Sequence, residues 1–229
     1  MNISRSILKR TNEILDRFGK KIVSKEELVD FYLHEYDNYE QYKQTQIQFN
    51  KKKIERIWSD ETTLSTVADT IKTLLQKQDI SGICHGSRNG FEQSFFRKTC
   101  SFDCIGTDIS ETANQFDHSV EWDFHDENPD WIEKFDFVYS NSLDQSWKPR
   151  QALTTWLAQV QKGGVVVLEH TEAHGPKGSS QMDPFGVRPN VMPYVLCDWF
   201  GFDISVMIKK TRKKNMDMDA WLFFIKKLV

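Results

Sequence analysis

From residue 80 onward, short apolar runs alternate along the chain with segments of helical period. The apolar runs, in order, are ISGICH, DCIGTDI, KFDFVYSNS and GGVVVLEH. The helical segments between them include GFEQSFFRK and PRQALTTWLAQVQ. This alternation is typical of a parallel β-sheet with helices on its faces, and the nearly unbroken apolar run VVVLE predicts a strand at the centre of that sheet. The sequence therefore predicts an α/β fold.

The last part of the chain predicts an antiparallel hairpin at the edge of the sheet. FDISVMIKK and DAWLFFIKK are strand-like runs, and a charged segment separates them. The basic run KKTRKKN at 209–215 falls in this region and is interpreted as a solvated turn.

The first 80 residues have a helical pattern. Ser24 and Glu27 have the spacing of a capping box, and Asp60 is placed to cap a later helix. The apolar residues after Asp60 recur at the spacing of one buried helix face: Leu64, Val67, Ala68, Ile71, Leu74 and Leu75.

A stripe of tyrosines precedes that helix. Tyr32, Tyr36, Tyr39 and Tyr42 recur at spacings of four, three and three, which predicts one face of a helix. Two interpretations stay open: the helix packs on the core of its own domain, or it forms a lid whose Tyr and Gln side chains close over a ligand. We divide the chain into a helical extension or lid, residues 1–78, and an α/β domain, residues 79–229.

Composition and charge argue against several classes of protein. The balance of 30 Lys and Arg against 33 Asp and Glu argues against a nucleic-acid partner. No segment approaches the roughly 18 uninterrupted apolar residues of a membrane span. The N-terminal segment also lacks the pattern of a signal peptide, so a soluble, cytoplasmic protein is expected.

The four cysteines do not form a metal-binding or disulfide pattern. Cys84, Cys100, Cys104 and Cys197 contain no CxxC pair, and they are too few for a dense disulfide framework. Reduced thiols are therefore predicted, with no zinc and no disulfide.

A glycine turn lies where the first strand of the α/β domain passes into a helix. In SGICHGSRNGFEQ, Gly86 and Gly90 let backbone N–H groups and the positive helix end approach a carboxylate or phosphate. Glycine turns also join strands to helices for structural reasons alone, so this pattern by itself is weak evidence.

Two acidic residues strengthen the interpretation of this turn as a ligand site. Asp108 ends the next strand, 22 residues after Gly86, where a carboxylate can bind ribose hydroxyls; the structural alternative is a helix N-cap. Asp123, in EWDFHD, follows a short extended stretch and is flanked by aromatic residues that suit an adenine ring. Asp123 alone is also compatible with an ordinary loop residue.

These residues resemble the class I S-adenosylmethionine (SAM) dependent methyltransferases over roughly residues 78–229. GSRNG is similar to the glycine motif of that family in its GxRxG form, GTDIS and WDF are similar to its ribose and adenine motifs, and DFVYSNSLDQS is similar to its fourth motif. The resemblance implies a Rossmann-like, mostly parallel seven-stranded sheet with an antiparallel last strand, and SAM as the cofactor. The cofactor contacts that it implies are His85, Gly86, Ser87, Arg88, Gly90, Asp108, Ile109, Asp123, Phe124, Ser140 and Asn141.

One departure from the commoner motif concerns the amino acid end of the cofactor. Arg88 stands where the GxGxG form has its middle glycine. The path of that end of SAM is therefore not fixed by the resemblance.

Candidate residues for methyl transfer follow the strands. An alcohol acceptor must lose its proton during or just after attack, so a base or a metal is needed. His170 directly follows VVVLE and is predicted as the base, with Asp144 orienting its imidazole or binding the acceptor. His174, Asp183 and Arg188 are candidate acceptor contacts, although each is also compatible with a structural loop role. A metal held by Asp144, Glu169 and a histidine is disfavoured because the oxygen ligands are few, and no metal is assigned.

A narrower likeness concerns the acceptor. CHGSRNGFEQ, WDFHDENPDWIEKFDFVYSNSLDQS and DPFG resemble a group of small bacterial methyltransferases linked to surface polysaccharides. This resemblance implies O-methylation of a small hydroxylated acceptor, such as a sugar or glycan precursor. A homodimer stays open.

Two other classes of protein stay open. A non-catalytic member that binds SAM or a protein partner would keep Gly86 and Asp108 without needing His170 or Asp144. A nicotinamide-dependent oxidoreductase is disfavoured, because it requires GxGxxG and this chain has GxxxG.

Overall fold

The computed structural model describes residues 5–18, 20, 22–23 and 31–228. The capping box predicted at Ser24 and Glu27 lies outside this part of the chain. The helices are α1 (Arg5–Asp16), α2 (Tyr39–Lys52), α3 (Glu61–Leu75), α4 (Phe91–Cys100), α5 (Pro149–Gln159) and α6 (Met192–Phe200). The strands are β1 (Tyr32–Leu33), β2 (Ser81–His85), β3 (Asp103–Asp108), β4 (Ser119–Glu121), β5 (Phe135–Ser140), β6 (Val160–Thr171), β7 (Phe185–Gly186), β8 (Ile204–Lys213) and β9 (Met218–Lys227).

Seven of the strands form one twisted sheet in the order β4-β3-β2-β5-β6-β9-β8. The neighbours from β4 to β6 pair in parallel, whereas β9 runs antiparallel to both β6 and β8. The predicted mostly parallel sheet with a reversed last strand is thus confirmed, as is the terminal hairpin. β5 lies in the middle, and β6, which contains VVVLE, is its neighbour. The carboxyl ends of β2, β3, β4 and β5 meet at one edge of the sheet, where ligands bind in open α/β folds.

Helices cover both faces of this sheet. On one face, α3 and α4 pack through residues such as Leu64, Val67 and Phe96 against Phe137 and Val167. On the other face, α5 and α6 contribute Leu153, Trp156 and Leu196. These side chains belong to one cluster with Val138 of β5 and Val166 of β6. Asp60 caps α3 by accepting from the Thr63 backbone N–H, as predicted.

The position of α3 bears on the division of the chain. α3 falls within residues 1–78, yet its buried face belongs to the core of the sheet domain. The boundary at residue 78 therefore stays a prediction, and α1 and α2 are the helices of the extension that do not build this core.

The tyrosine stripe does not lie on one helix, so that prediction is wrong. α2 begins at Tyr39, after the N-cap Asn38, while Tyr32 lies in β1 and pairs with Gly186 of β7. The antiparallel pair β1 and β7 and the packing of Tyr36 on Tyr42, with ring centroids 5.5 Å apart, still bring the tyrosines near one another. Spacing alone did not distinguish a helix from a strand followed by a bend.

The basic run at 209–215 is not a solvated turn over its whole length. Residues 209–213 continue β8, and Lys213 is fully buried in an ion pair with the buried Glu169 of β6. The last two residues of the run, Lys214 and Asn215, do lie in an exposed turn, as predicted. Lys210 and Arg212 are also exposed, although they lie in β8, and they form ion pairs with Asp219 and Asp217.

Two further observations concern predictions from composition. In residues 5–18 and 31–228 we find no helix that is both long and apolar enough to cross a bilayer. The four cysteines are free thiols, and Cys84 and Cys104 lie side by side with 3.5 Å between their sulfur atoms.

Candidate functional site

The glycine turn between β2 and α4 lies tightly against neighbouring loops. Gly86 has φ +69°, and a Cβ there would come within 2.6 Å of the Cβ of Ser142, so a side chain is excluded. The next residues curl toward the end of β3, where the Arg88 N–H donates to Asp108 Oδ2 at 3.0 Å. Gly90, with φ +75°, is the N-cap of α4.

Two carboxylates stand at the ends of adjacent strands beside this turn. Asp108 ends β3, and Asp123 follows β4; both are buried. Burial raises the pKa of Asp108 to about 6, although backbone N–H groups of Ser110 and Arg88 oppose the shift. Burial would also raise the pKa of Asp123, but hydrogen bonds and the charge of His125, whose Nδ1 is 2.6 Å away, hold it below its ordinary value.

A cleft runs along this edge of the sheet. At one end it is lined by Gly86, Asp108, Ile109, Asp123 and Phe124, and only about 20 Å³ there is free. Next to this end lie a constriction beside Arg88 and a larger cavity of about 290 Å³. Gln145 lines all three parts. The predicted cofactor residues Asp108, Ile109, Asp123, Phe124, Gly86, Arg88 and Asn141 thus line adjoining parts of the cleft, which share Gln145 in their lining.

Helix α2 covers the narrow end of the cleft. The Tyr39 hydroxyl donates to Asp123 Oδ2 at 2.8 Å, and the Asn50 amide donates to Asp108 Oδ1 at 2.7 Å. Gln46 reaches across the cleft to the carbonyl of Met182, at 3.1 Å. The polar face of α2 is therefore turned toward the two carboxylates and away from solvent.

The larger cavity contains an unusual carboxyl group. Asp144 is buried, and its Oδ1 has no hydrogen-bond partner among the described residues. Burial raises the pKa of Asp144 to about 7. Its Oδ2 faces Nε2 of His174 at 3.8 Å. The Thr171 N–H lies 3.4 Å from Nδ1 of His174, so Nδ1 is the acceptor nitrogen and Nε2 carries the proton.

The surroundings of His174 keep its ring fixed and neutral. The ring packs between Trp58, with centroids 5.2 Å apart, and His170, at 5.0 Å. Burial, with the charge of Lys213 as a second cause, lowers the pKa of His174 to about 3. His174 is therefore uncharged near neutral pH.

Asp183 and three basic residues complete the cavity. Asp183 is mostly buried, and burial followed by the charge of Asp144 raises its pKa to about 7. Lys53, Arg56 and Arg88 line the same cavity. Sequence reasoning did not select Lys53, Arg56, Trp58, Asn50 or Gln145. The signal in the sequence was the stretch YEQYKQTQIQFN, which ends at Asn50 and for which a lid was one of two open interpretations.

Several predicted residues lie elsewhere. The side chain of His85 is in the core, bonded to Thr107 and Gln159 and stacked on Trp156, so it does not reach the cleft as a cofactor contact. Ser87 and Ser140 are buried and bond to backbone carbonyls of neighbouring strands. Gly90 lines a separate depression on the outer side of the turn.

His170, predicted as the base, also lies outside the lining of the larger cavity. It is buried near the end of β6, where its Nε2 bonds to the carbonyl of Val187 at 2.8 Å. Burial, and then the neighbouring His174, lowers its pKa to about 3. Arg188 is the residue after Val187. Its backbone carbonyl accepts hydrogen bonds from the N–H groups of Val191 and Met192 at the start of α6. Of the predicted acceptor contacts, His174 and Asp183 line the cavity.

Within the described residues, no group of three or more His, Cys, Asp or Glu has the spacing to hold a metal ion. Asp144 and Glu169 have different partners. Asp144 faces His174, whereas Glu169 accepts a hydrogen bond from Tyr139 at 2.5 Å and pairs with Lys213.

Of the comparisons with known proteins, the comparison of structures finds matches and the two comparisons of sequence do not. No family model matches the sequence, and no curated protein matches it. Among solved structures, the 1,6-didemethyltoxoflavin-N1-methyltransferase of Burkholderia thailandensis, bound to its substrate and S-adenosylhomocysteine, is similar with a TM-score of 0.65. That likeness covers 86% of this chain and 93% of that one, at 10% identity. The chain has the fold of the class I SAM-dependent methyltransferases.

Other proteins of similar structure show how widely this fold is used. The N-methyltransferase NodS of Bradyrhizobium japonicum matches 74% of this chain and 99% of its own, with a TM-score of 0.51 and 13% identity. The [4+2]-cyclase SpnF matches 81% of this chain and 94% of its own, with a TM-score of 0.57 and 10% identity. SAM, the cofactor predicted from the sequence, is the one whose product occupies this fold in the Burkholderia enzyme.

Proposed function

We propose that the protein is a SAM-dependent methyltransferase that methylates a hydroxyl group of a small acceptor, such as a sugar or glycan precursor. The observation that carries this proposal is that two parts of the cleft adjoin each other. The glycine turn and the carboxylates Asp108 and Asp123 lie at one end, and the neighbouring cavity, which shares Gln145 in its lining, is lined by Arg88 and by Asp144, whose buried Oδ1 has no hydrogen-bond partner among the described residues.

The residues of the narrow end suit a nucleoside. A carboxylate accepts hydrogen bonds from ribose hydroxyls, and Asp123 beside Phe124 suits the amino group and face of an adenine ring. In the structure, Asp108 accepts from Asn50 and Asp123 accepts from Tyr39, both residues of α2. Donor groups of the cofactor would replace these two side chains. We therefore assign α2 as a lid that moves when the cofactor binds.

When bound, SAM supplies a methyl carbon made electrophilic by its sulfonium sulfur. The tasks left to the protein are to align the acceptor oxygen, to exclude water and to receive a proton. Asp144 is assigned the third task, because its side chain lines the cavity and its buried Oδ1 has no hydrogen-bond partner among the described residues. Its pKa of about 7 lies in the range in which a carboxyl group can accept a proton and release it again.

His174 is assigned as the residue that orients Asp144. Its Nε2–H faces Oδ2, which leaves Oδ1 for the acceptor. His170 supports the ring of His174 from the core. Its predicted role as the base remains a hypothesis that the variant His170→Ala tests: turnover should collapse while cofactor affinity stays within a few fold, and retained turnover would remove His170 as the base.

Calorimetry tests the cofactor first. The purified protein is titrated with S-adenosylhomocysteine and, in parallel, with NADH. Binding of the first alone is expected. Preference for NADH, or no binding of S-adenosylhomocysteine, would overturn the proposal and reopen the other classes.

Labelled SAM then tests the reaction. Sugars, sugar derivatives and small alcohols are screened together with amines, and transfer of the label to an oxygen atom is expected. Transfer to amines alone would correct the acceptor class, and cofactor binding without transfer to any acceptor would favour a non-catalytic SAM-binding protein.

A further inference from the structure

Lys53 is a cation inside the cleft without an anionic partner. It follows the last residue of α2, is half-buried, and lines both the constriction and the larger cavity. Within residues 5–18 and 31–228, its ammonium group makes no ion pair within 4 Å; it lies 5.9 Å from the centroid of the Phe49 ring, and the charges of Asp183 and Asp144 act on it from farther away. Burial lowers the pKa of Lys53, which shows that the charge is partly desolvated.

Two further cations line the same cavity. Arg56 comes one helical turn after Lys53, and the Arg88 guanidinium donates to the carbonyl of Arg56 at 3.1 Å. Asn89 of the glycine turn also bonds to the carbonyl of Ile54, at 3.0 Å. These bonds hold the segment that carries Lys53 and Arg56 against the glycine turn, so the three cations stay close despite their repulsion.

The carboxyl groups of the cavity do not balance these charges. Asp144 and Asp183 are the acidic residues of its lining, and each has a pKa of about 7 because of burial. Both are therefore partly protonated at neutral pH. SAM adds no negative charge overall, since its sulfonium and ammonium groups outnumber its single carboxylate. The loaded site keeps an excess of positive charge.

We propose that Lys53 and Arg56 bind an oxyanion, a carboxylate or a phosphate, that the acceptor carries beside the hydroxyl to be methylated. This inference rests on the proposed function and narrows its acceptor class to acidic or phosphorylated small molecules. The same chemistry has a second source, the carboxylate of the cofactor. Arg88 belongs to the glycine turn of the proposed cofactor site, so it is the cation assigned to that carboxylate.

The position of the two cations favours the acceptor. Arg56 lines the larger cavity and not the constriction, and the cavity also contains Asp144, the proposed proton acceptor. An acceptor bound beside Asp144 would bring another of its substituents to Lys53 and Arg56, which line the same cavity. A neutral sugar would leave both cations unpaired.

The test uses the whole chain saturated with S-adenosylhomocysteine. Inorganic phosphate, glucose 1-phosphate, glucuronate and glucose are titrated separately at constant ionic strength, and binding is followed by calorimetry or NMR. The anions are expected to bind at least about tenfold more tightly than glucose, as hydrogen bonds to charged groups should provide. Lys53→Met should weaken anion binding about 5- to 10-fold and leave the affinity for S-adenosylhomocysteine within about twofold.

Lys52→Met is the matched control. Lys52 is the exposed neighbour of Lys53 and lies outside the cleft, so this variant should bind every ligand as the wild type does. Three results would overturn the inference: glucose binding as tightly as the anions, no anion binding at 10 mM, or a loss in Lys53→Met of S-adenosylhomocysteine affinity but not of anion affinity. Failure of the wild type to bind S-adenosylhomocysteine at all would instead contradict the proposed function.

Discussion

The side-chain amide of Asn50 donates a hydrogen bond to the carboxylate of Asp108, with 2.7 Å between Nδ2 and Oδ1. Asn50 is also fixed by Thr112, whose hydroxyl donates to its Oδ1 at 2.9 Å. An amide of α2 therefore occupies the carboxylate that sequence reasoning assigned to ribose hydroxyls. If α2 is the proposed lid, the exchange of one donor for another keeps Asp108 paired whether or not the cofactor is bound.

The first prediction concerns Asp108. Asp108→Asn should weaken binding of S-adenosylhomocysteine about 10- to 100-fold, because hydrogen bonds to a carboxylate are stronger than those to an amide oxygen. Calorimetry measures the change. Asp103→Asn is the control, since Asp103 is exposed at the other end of β3. Equal affinities of wild type and Asp108→Asn would remove Asp108 from the cofactor site.

The second prediction concerns pH and Asp144. In the unfolded chain its pKa returns to about 3.9, whereas the folded value is about 7. Between these values the folded protein holds a proton that the unfolded chain has released. The contribution of Asp144 to the free energy of unfolding should therefore fall as pH rises from about 4 to 7, whereas the buried neutral His170 and His174 contribute with the opposite sign below about pH 6.5.

Asp144→Asn removes this contribution, so between about pH 4 and 7 the unfolding free energy of the variant should rise relative to that of the wild type by on the order of 4 kcal/mol. Urea unfolding at several pH values measures both slopes. Asp198→Asn, an exposed change on α6, should keep the wild-type slope. An unchanged slope in Asp144→Asn would show that its carboxyl group titrates normally.

The third prediction concerns turnover. Once an acceptor is found, Asp144→Asn should lower the rate of transfer at least about 100-fold, the usual range for loss of a general base, while affinity for S-adenosylhomocysteine changes little. His174→Gln should have a smaller effect and should shift the pH profile, because it orients the carboxyl group. A rate close to wild type in Asp144→Asn would exclude Asp144 as the proton acceptor.

The fourth prediction concerns the buried ion pair of Lys213 and Glu169. Lys213→Met leaves the Glu169 carboxylate buried without a counter-charge and should cost about 3–5 kcal/mol of stability. The double variant with Glu169→Gln should recover part of this loss. Lys214→Met, the exposed neighbour, should be close to neutral. Denaturant unfolding compares the variants, and equal stability of Lys213→Met and Lys214→Met would contradict a structural role for the pair.

The sheet could be predicted because its signals are local. VVVLE is apolar on both faces of its strand, and both β6 faces are covered by helices in the structure. The reversed last strand followed from two adjacent runs with a turn between them. The prediction that the tyrosine stripe forms one helix face also depended on a local signal. It was wrong because local spacing does not reveal where a strand ends and a helix begins.

The sequence by itself determined the order of strands and helices, the glycine turn and the acidic residues at the strand ends. Each depends on neighbours in the chain, through backbone conformation and apolar periodicity. Only the tertiary structure decided which polar side chains meet. It buried His85 and His170, brought Lys53 and Trp58 to the cavity, and left one oxygen of Asp144 without a partner. These outcomes depend on contacts between residues far apart in the chain, whose burial and partners are set by packing of the whole domain.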